Sequence, residues 1–375
     1  MLKIEAKAWN ACANPLGSPF NPFISHEFLA ALEISDSAVR KTGWLGRHLV
    51  LRDDEGSVTG VAPAYLKSHS YGEYVFDHGW ADAFERAGGR YYPKLQISVP
   101  FTPVTGPRLL APTRELRALL LDGLRRLSGE AGASSVHITF MPEDDWRELG
   151  HSPWLKRTDT QFHWFNKGYG TFEDFLADLS SRKRKNIRKE RQSMGAAGIE
   201  FEHLTGSAIT EAHWDAFFAF YMDTGSRKWG SPYLTRRFFS LIGGSMADSI
   251  LLVMARRGRK VIAGALNFIG SDALYGRNWG AVEHHPNLHF EACYYQAIDF
   301  AIAHKLARVE AGAQGPHKLA RGYVPKSTHS LHYLAHPGLA RAVADYLEHE
   351  RREVAEDQSA LAEHAPFRNA VEDDF

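Results

Sequence analysis

Residues 310–323 read EAGAQGPHKLARGY, a stretch in which ionisable side chains are interspersed with glycines directly after an apolar segment. The chain before it has helical apolar spacing over His289–Lys305 and a strand pattern over Leu306–Val309. Glycine accepts positive φ and lets the backbone approach a ligand closely, and catalytic groups are often carried by loops on a rigid scaffold. We therefore predict a functional site here; the alternative is a surface loop with solvated charges.

The composition predicts a chain with more than one core. A length of 375 residues, 44% of them apolar, is typical of two domains. The 44 basic and 44 acidic residues balance. Total charge therefore gives no reason to expect nucleic acid or an anionic membrane as a partner, and local clusters must carry any such argument.

Cysteine and histidine usage predicts neither a disulfide framework nor a metal site. Only Cys12 and Cys293 occur, far apart, and no histidines form an H-E-x-x-H motif. No apolar run approaches the roughly 20 residues that span a bilayer, and the first residues lack the apolar core of a signal peptide. We expect a cytoplasmic protein, with peripheral contact at the inner face of the cell membrane left open.

The same order of elements recurs in the two halves of the chain. Each half gives a strand, a charged glycine turn, a strand containing Gly60 or Gly264, an aromatic strand ending near Trp80 or Trp279, and a closing strand. An ordered series of matches indicates duplication of one mixed α/β unit. The predicted domains are a first lobe at 1–150, a linker with a basic helix at 151–200, a second lobe with the candidate site at 201–355, and a fraying acidic tail at 356–375.

A basic run, SSRKRKNIRKER at residues 180–191, follows a helical pattern and lacks acidic residues until Glu190. Such a run binds phosphates or head groups by releasing counterions. The alternative is a solvated helical face. The cations proposed for phosphate binding are Lys183, Arg184, Lys185 and Arg188.

The duplicated halves, the basic run, PKLQISVPFTPVTGPRLL at residues 93–110 and EAGAQGPHKLARGY together resemble the FemAB-like family of N-acyltransferases. That family belongs to the GNAT (acyl-CoA N-acyltransferase) superfamily. The resemblance implies a mixed α/β fold with two tandem GNAT-like lobes, and acyl transfer to a primary amine. Some relatives are associated with acylating a sphingoid base to make ceramide, whereas the distant Fem aminoacyltransferases use aminoacyl-tRNA.

The resemblance also implies how the donor is held. In the GNAT fold two central strands splay apart around the donor's pantetheine arm, which here implies Val261–Ile269 and Ala273–Trp279, with a backbone N–H near Leu266–Phe268 polarising the thioester carbonyl. Residues 280–289, GAVEHHPNLH, lack the glycine-rich loop that holds a pyrophosphate at a helix start. The donor is therefore acyl-CoA held by the basic helix, an acyl carrier protein, or a charged tRNA.

The reacting amine must be neutral, so the site needs a general base. The candidate bases are Glu310, His285, His317 and Glu291, which are histidines or carboxylates that burial can tune. Lys318, followed by Gly322 and Tyr323, resembles a lysine motif of the Fem enzymes. The candidate substrate-binding residues are Lys318, Arg321, Gln314, Arg277, Asn278, Tyr295 and Tyr323, with the four cations of the basic run.

The sequence thus predicts an N-acyltransferase that moves an acyl group from acyl-CoA or another acyl thioester to a primary amine. A long-chain amino alcohol, giving a ceramide, is one such acceptor. No permanently bound cofactor is expected. Two alternatives stay open: aminoacyl-tRNA-dependent transfer of an amino acid to a peptidoglycan precursor, and a noncatalytic ligand-binding protein with the same fold.

Overall fold

The structure is a computed structural model that describes residues 1–228, 232–312, 316–364 and 366–367. Its helices are α1 Ala6–Ala13, α2 His26–Ile34, α3 His78–Arg86, α4 Arg114–Glu130, α5 Glu143–Leu149, α6 Phe172–Ala177, α7 Ser181–Ala196, α8 Glu211–Lys228, α9 Arg236–Ser245, α10 Leu288–Phe290, α11 Gln296–Ala303 and α12 Pro337–Glu363. Its strands are β1 Trp44–Gly46, β2 Leu49–Arg52, β3 Val58–Ala62, β4 Ala64–Lys67, β5 Lys94–Ile97, β6 Ser135–Met141, β7 Leu155–Phe165, β8 Ile199–Thr205, β9 Ile250–Arg257, β10 Lys260–Ile269, β11 Ala273–Ala281, β12 Arg308–Glu310 and β13 Val324–Leu334. A π-helical turn, Glu291–Tyr295, joins α10 to α11.

The first of two compact units contains residues 1–159, 233–238 and 327–356. Its sheet has the strand order β1-β4-β5-β6-β13. Strands β5 and β6 are parallel and are joined through α4, while the other neighbours pair antiparallel. Apolar residues of α4, spaced so that Leu120, Leu121 and Leu124 share one helical face, pack on this sheet.

The second unit contains the described residues of 160–232, 239–326 and 357–375, and its sheet has the order β7-β12-β11-β10-β9-β8. Here β11 and β12 are parallel and are joined through residues 288–303, and the other neighbours are again antiparallel. Leu274 and Val309 on the sheet pack with Ala297 and Ile298 of α11. A parallel pair joined by a helix and flanked by antiparallel strands therefore occurs in both units.

The last strand of each sheet comes from the other half of the chain. Strand β7 follows β6 in the chain but pairs with β12, and β13 follows β12 but pairs with β6. The compact units consequently differ from the predicted lobes at 1–150 and 201–355. The segment 151–200, predicted as a linker, contributes β7 and two helices to the second unit, where Phe175 and Ile187 are buried in the core.

Two further details differ from the predictions. Trp80 lies in α3, an excursion between β4 and β5, whereas Trp279 lies in β11, so the proposed equivalence of these aromatic residues is wrong. The helix α12 runs on to Glu363, well into the predicted acidic tail, because residues 352–363 are rich in alanine and glutamate, which are strong helix formers.

Candidate active site

The pairing between the parallel strands β11 and β12 ends after three residue pairs. They pair at Ala273 with Arg308, Leu274 with Val309 and Tyr275 with Glu310, where β12 ends. Strand β11 continues to Ala281, so within the described residues its edge from Gly276 onward has no strand beside it on the β12 side. We call this opening the wedge.

The position of the wedge corrects the predicted splayed pair. Strands β10 and β11 remain paired from Ala263 opposite Ala281 to Ile269 opposite Leu274. Because β10 also pairs with β9, the predicted backbone donors at Leu266–Phe268 lie inside the sheet. The divergent pair is the parallel one, β11 and β12.

A bulge lies where β11 enters the wedge. Asn267 pairs with Gly276 and Leu266 pairs with Asn278, which leaves Arg277 as an extra residue on β11. A bulge bends its strand and re-aims the neighbouring side chains. The predicted residues Arg277 and Asn278 therefore lie beside the wedge, on backbone that departs from regular pairing.

A cavity of about 100 Å³ occupies the wedge. It brings together the end of β10, the bulged part of β11, the helix that follows β11, and the first residue after β12. Its lining residues are Ala265, Leu266, Asn267, Gly276, Arg277, Asn278, Trp279, His289, Cys293, Tyr294 and Ala311.

The predicted base Glu310 is the last residue of β12, at the point where the strands diverge. Its side chain is 3% exposed. Arg308 Nε donates to Glu310 Oε1 at 2.9 Å, while Glu310 Oε2 has no hydrogen-bond partner within the described part of the chain. Burial raises the pKa of the Glu310 carboxyl, and the adjacent Arg308 opposes that shift. The result is a buried carboxylate with one oxygen available.

His163 faces Glu310 across the β7–β12 pair. Its Nε2 lies 3.8 Å from Glu310 Oε2. Burial, with repulsion from Arg308 and other cations, lowers the pKa of His163 to about 3. The imidazole is therefore neutral near pH 7 and can both accept and donate a proton. Sequence reasoning missed His163, because it follows the first half of the chain and joins this sheet only through the strand exchange.

Lys318 holds the chain that leaves β12. Its Nζ donates to Ala311 O at 2.6 Å and to Gly312 O at 2.9 Å, and the side chain is 3% exposed. Burial lowers the pKa of Lys318 to about 8. Because Ala311 lines the cavity, Lys318 fixes one wall of the wedge.

Arg321 and Tyr295 meet on Glu190 of α7. Arg321 Nη2 donates to Glu190 Oε1 at 2.8 Å, and Tyr295 Oη donates to the other oxygen of Glu190. The Arg321 guanidinium also donates to His317 O at 2.8 Å and stacks over Phe290 at 3.4 Å. The predicted pair of Arg321 and Tyr295 is thus brought together by a residue that was not predicted, and the signal for Glu190 was its place as the first acid of the basic run.

Glu291, another predicted base, is held through one carboxylate oxygen. Arg191 Nη2 lies 3.1 Å from Glu291 Oε1, which also accepts from Gln296 Nε2 at 2.8 Å. Burial raises the pKa of Glu291, and Arg191 opposes the shift. Glu291 begins the π-helical turn, a feature frequent at functional sites because it displaces side chains from regular helical positions. Glu291 Oε2 is buried and has no hydrogen-bond partner within the described residues, so Glu291 stays a candidate base.

His317 and Tyr323 lie on the helical side of the wedge. His317 Nε2 lies 3.0 Å from Tyr294 Oη, and Tyr294 lines the cavity. Tyr323 is fully buried, and within the described ranges its hydroxyl has no hydrogen-bond partner. Burial raises the pKa of Tyr323 well above its usual value.

Two sets of predicted residues are not brought to the wedge, and one predicted residue cannot be placed. His285 pairs with Glu283 at 3.1 Å, beside Arg257 and Lys260 at the β9–β10 turn. That turn lies at the Ala281 end of β11, six residues or about 20 Å from Tyr275 at ~3.3 Å per residue. Gln314 lies outside the described residues. Lys183, Arg184, Lys185 and Arg188 lie in the amino-terminal half of α7, where Arg188 pairs with Glu173 at 2.5 Å.

The described residues include neither a candidate metal site nor a candidate membrane span. No group of three or more His, Cys, Asp or Glu side chains there is arranged to hold a metal ion. No described helix is both long enough and apolar enough to cross a bilayer.

Comparison with known proteins identifies the family. The profile of the FemAB-like family, described as peptidoglycan biosynthesis/recognition, matches residues 1–369. The chain belongs to the FemAB-like family. No curated protein matches the chain.

FemX and L-PGS, two proteins of solved structure, have a fold similar to that of this FemAB-like chain. The crystal structure of FemX is 12% identical, covers 91% of this chain and 98% of its own, and superposes with a TM-score of 0.58. The structure of L-PGS from Bacillus licheniformis is 8% identical, covers 88% and 98% of the two chains, and has a TM-score of 0.53. A tandem GNAT protein from the clavulanic acid biosynthesis pathway is 12% identical over 79% of this chain and 84% of its own, with a TM-score of 0.42.

Family membership and the two similarly built sheets confirm the predicted fold class, mixed α/β with tandem GNAT-like lobes. Family membership supports a transferase that acts on an amine.

Proposed function

We propose that the protein transfers an acyl group from a thioester to a primary amine, with the donor seated in the wedge between β11 and β12. The observation that carries the proposal is the early end of β12: among the described residues no strand pairs with β11 on that side beyond Tyr275, and the buried Glu310 carboxylate lies where the pairing stops. An extended donor arm with amide groups can add to such an edge as a further strand would.

The bulge at Arg277 supplies the electrophilic side of the proposed reaction. A bulge re-aims the backbone around it, and a backbone N–H directed at a thioester carbonyl oxygen can stabilise the negative charge that develops there. We assign this function to the backbone at Arg277 and Asn278, which lines the cavity. Their side chains then face the acyl group or the acceptor.

Glu310 is the proposed base. The amine nitrogen attacks the thioester carbonyl carbon, and its proton passes to Glu310 Oε2, directly or through neutral His163. As the tetrahedral intermediate collapses, the carbon–sulfur bond breaks and the thiolate leaves, taking up the proton. Burial suits Glu310 to this task, because a raised carboxyl pKa strengthens it as a base.

A long-chain amine is the proposed acceptor class, with a sphingoid base and its ceramide product as the specific case. The wedge is lined by Leu266, Trp279 and Tyr294 and so offers apolar surface to a hydrocarbon chain. The proposed donor is acyl-CoA or an acyl carrier protein, used as a co-substrate.

A second candidate donor is aminoacyl-tRNA. It is favoured by the family description and by the exposed cations of α7, which match the phosphates of RNA. In that case the amine of a peptidoglycan precursor is the acceptor, and the same wedge and base act on an ester instead of a thioester.

Mass spectrometry of reaction products tests the proposal. The purified protein is incubated with a long-chain acyl-CoA and a panel of primary amines that includes a long-chain amino alcohol, and in parallel with charged tRNA. We expect an amide from the thioester, strongly reduced in Glu310→Gln and retained in His285→Gln, whose histidine lies away from the wedge. If charged tRNA yields product and the thioester does not, the donor is aminoacyl-tRNA and not a thioester. If the protein retains a ligand but forms no product with any donor, it is a binding protein.

A further inference from the structure

The amino-terminal half of α7 concentrates positive charge that the candidate active site does not use. Residues 181–189 contain six basic and no acidic side chains, whereas the whole chain has 44 of each. Of these six, Arg188 forms an ion pair with Glu173 at 2.5 Å. Among the residues that the structure describes, Arg182, Lys185 and Lys189 have no ion-pair partner. Within the described residues, no ion pair therefore neutralises the charge of these three side chains.

These three cations share one exposed face. Positions three and four apart lie on the same side of a helix, and Arg182, Lys185 and Lys189 follow that spacing and are all exposed. The opposite side of α7 buries Ile187 and Met194. Seven residues at 1.5 Å each give a row of charge about 10 Å long. We call these three side chains the basic row.

The carboxyl-terminal half of α7, and not the basic row, contacts the residues around the wedge. Glu190 and Arg191 contact Arg321, Tyr295 and Glu291, and Ser193 Oγ accepts from Asn287 Nδ2 near the start of α10. Arg182 lies eight residues before Glu190, about 12 Å along the helix. The basic row therefore faces solvent on the side of α7 opposite its buried stripe, and does not line the wedge.

We propose that the basic row docks the protein on an anionic phospholipid surface. A row of exposed, unpaired cations is complementary to phosphate head groups, and each lysine or arginine near such a surface strengthens binding several-fold. The choice of a lipid surface over another phosphate carrier rests on the proposed long-chain amine, which would partition into a membrane. Docking would bring the second unit to the surface that holds this acceptor.

Vesicle co-sedimentation tests this docking. The full-length protein is mixed with phosphatidylcholine vesicles with and without phosphatidylglycerol, at low and high salt. We expect binding only to the anionic vesicles, weakened by salt because exposed charges are screened. The triple variant Arg182→Glu, Lys185→Glu, Lys189→Glu should bind at least ~100-fold more weakly.

A matched variant separates the basic row from total charge. Lys7→Glu, Arg90→Glu and Arg126→Glu change the same number of exposed cations outside α7, and this protein should bind the anionic vesicles like the wild type. Circular dichroism melting of both triple variants checks that each is folded.

The proposal is overturned if phosphatidylglycerol does not increase vesicle binding by the wild type. It is also overturned if both triple variants lose binding equally, or if the α7 variant binds as tightly as the wild type. Binding of uncharged tRNA that depends on the basic row, without vesicle binding, would assign the row to RNA instead. Because co-sedimentation uses no substrate, its outcome is independent of whether an amide is formed. Failure of the docking and failure of the proposed reaction are therefore distinguishable.

Discussion

At the scale of single residues, the candidate site depends on a few buried polar groups, which differ in how many of their atoms have hydrogen-bond partners. Glu310 has one oxygen held by Arg308 and the other without a partner in the described structure, whereas both oxygens of Glu190 are engaged. A buried polar atom without a partner costs free energy, and such atoms are expected at functional sites. This contrast favours Glu310 as the reacting group and Glu190 as a positioning group.

Replacing Glu310 with glutamine should lower kcat by about 10²–10⁴-fold, the usual contribution of a general base. Glutamine retains the shape and an oxygen for Arg308, so the fold should be preserved. In the wild type, activity should fall as pH drops through the pKa of Glu310, which burial places above that of an ordinary glutamate. Rates measured against pH check this. An unchanged acidic limb in Glu310→Gln would show that another group is the base.

Lys318 should make the free energy of unfolding depend on pH in the alkaline range. The pKa of Lys318 is lowered to about 8 in the folded state, while an unfolded lysine titrates at ~10.4. Between these values the unfolded chain binds more protons, so the contribution of Lys318 to stability rises with pH. The free energy of unfolding of the wild type, measured relative to Lys318→Met by urea titration, should therefore increase from pH 8 to pH 10. A flat difference would mean that the amine is not desolvated.

The distance along the chain decides which site residues could be predicted. Glu310, Lys318 and Arg321 lie in one short stretch, and the pattern of strand, glycine and charge was enough to select them. Glu190 is 131 residues from Arg321 and 105 from Tyr295. No local pattern encodes such a meeting, because it depends on how α7 packs on the second unit. For His285 the opposite holds. It is close to the other candidates in the sequence, but the fold does not bring it near Glu310.

At the scale of elements, α7 supports the site from one half of its length. Glu190 and Arg191 tie the helix to Arg321, Tyr295 and Glu291, so α7 braces the π-helical turn beside the wedge. The run of basic residues was predicted from sequence as one functional unit. The structure divides it, because only its carboxyl-terminal end contacts the site.

Glu190→Ala should destabilise the second unit by about 1–3 kcal/mol, since Arg321 and Tyr295 both lose their partner in a largely buried setting. Urea unfolding measures the change. Glu173→Ala provides the control, because its ion pair with Arg188 is exposed and such pairs contribute about 0–1 kcal/mol. Equal effects of the two substitutions would refute the bracing role of Glu190.

The corresponding opening in the first unit is closed by the chain itself. Beyond the last β5–β6 pair, Ile97 with Ile138, the edge of β6 is occupied: Gly106 N donates to Phe140 O at 2.9 Å and Arg108 Nε donates to Thr139 O at 3.0 Å. Arg108 is 1% exposed, and burial lowers its pKa to about 9. This arrangement explains why one parallel pair offers a wedge and the other does not.

At the scale of the whole molecule, the exchange of β7 and β13 makes each unit dependent on a distant part of the chain. Hydrophobic periodicity predicted the duplicated α/β unit, because each copy carries its own apolar pattern. It did not predict the exchange, because the apolar pattern of β7 and β13 indicates a strand but does not indicate which strand it pairs with. The predicted boundaries at 1–150 and 201–355 followed the repeat in sequence, and the compact units follow the pairing.

The exchange predicts that residues 1–159 do not fold alone. This fragment lacks β13, whose Leu331 pairs with Ile138, and leaves the edge of β6 exposed. We expect aggregation on size-exclusion chromatography and no cooperative thermal transition. Joining residues 327–356 to the fragment through a Gly-Ser linker should restore both. A monomeric fragment with a sharp transition would contradict the assignment of β13 to the first unit.

The central claim is that the wedge binds the acyl donor, and the two cysteines allow a direct test. Cys293 lines the wedge, whereas Cys12 lies in the first unit beside Val58. Their rates of modification by iodoacetamide, followed by mass spectrometry of each cysteine, are compared with and without a long-chain acyl-CoA. We predict that the donor slows modification of Cys293 and leaves Cys12 unaffected. Equal rates at Cys293 with and without saturating, demonstrably bound donor would contradict the claim.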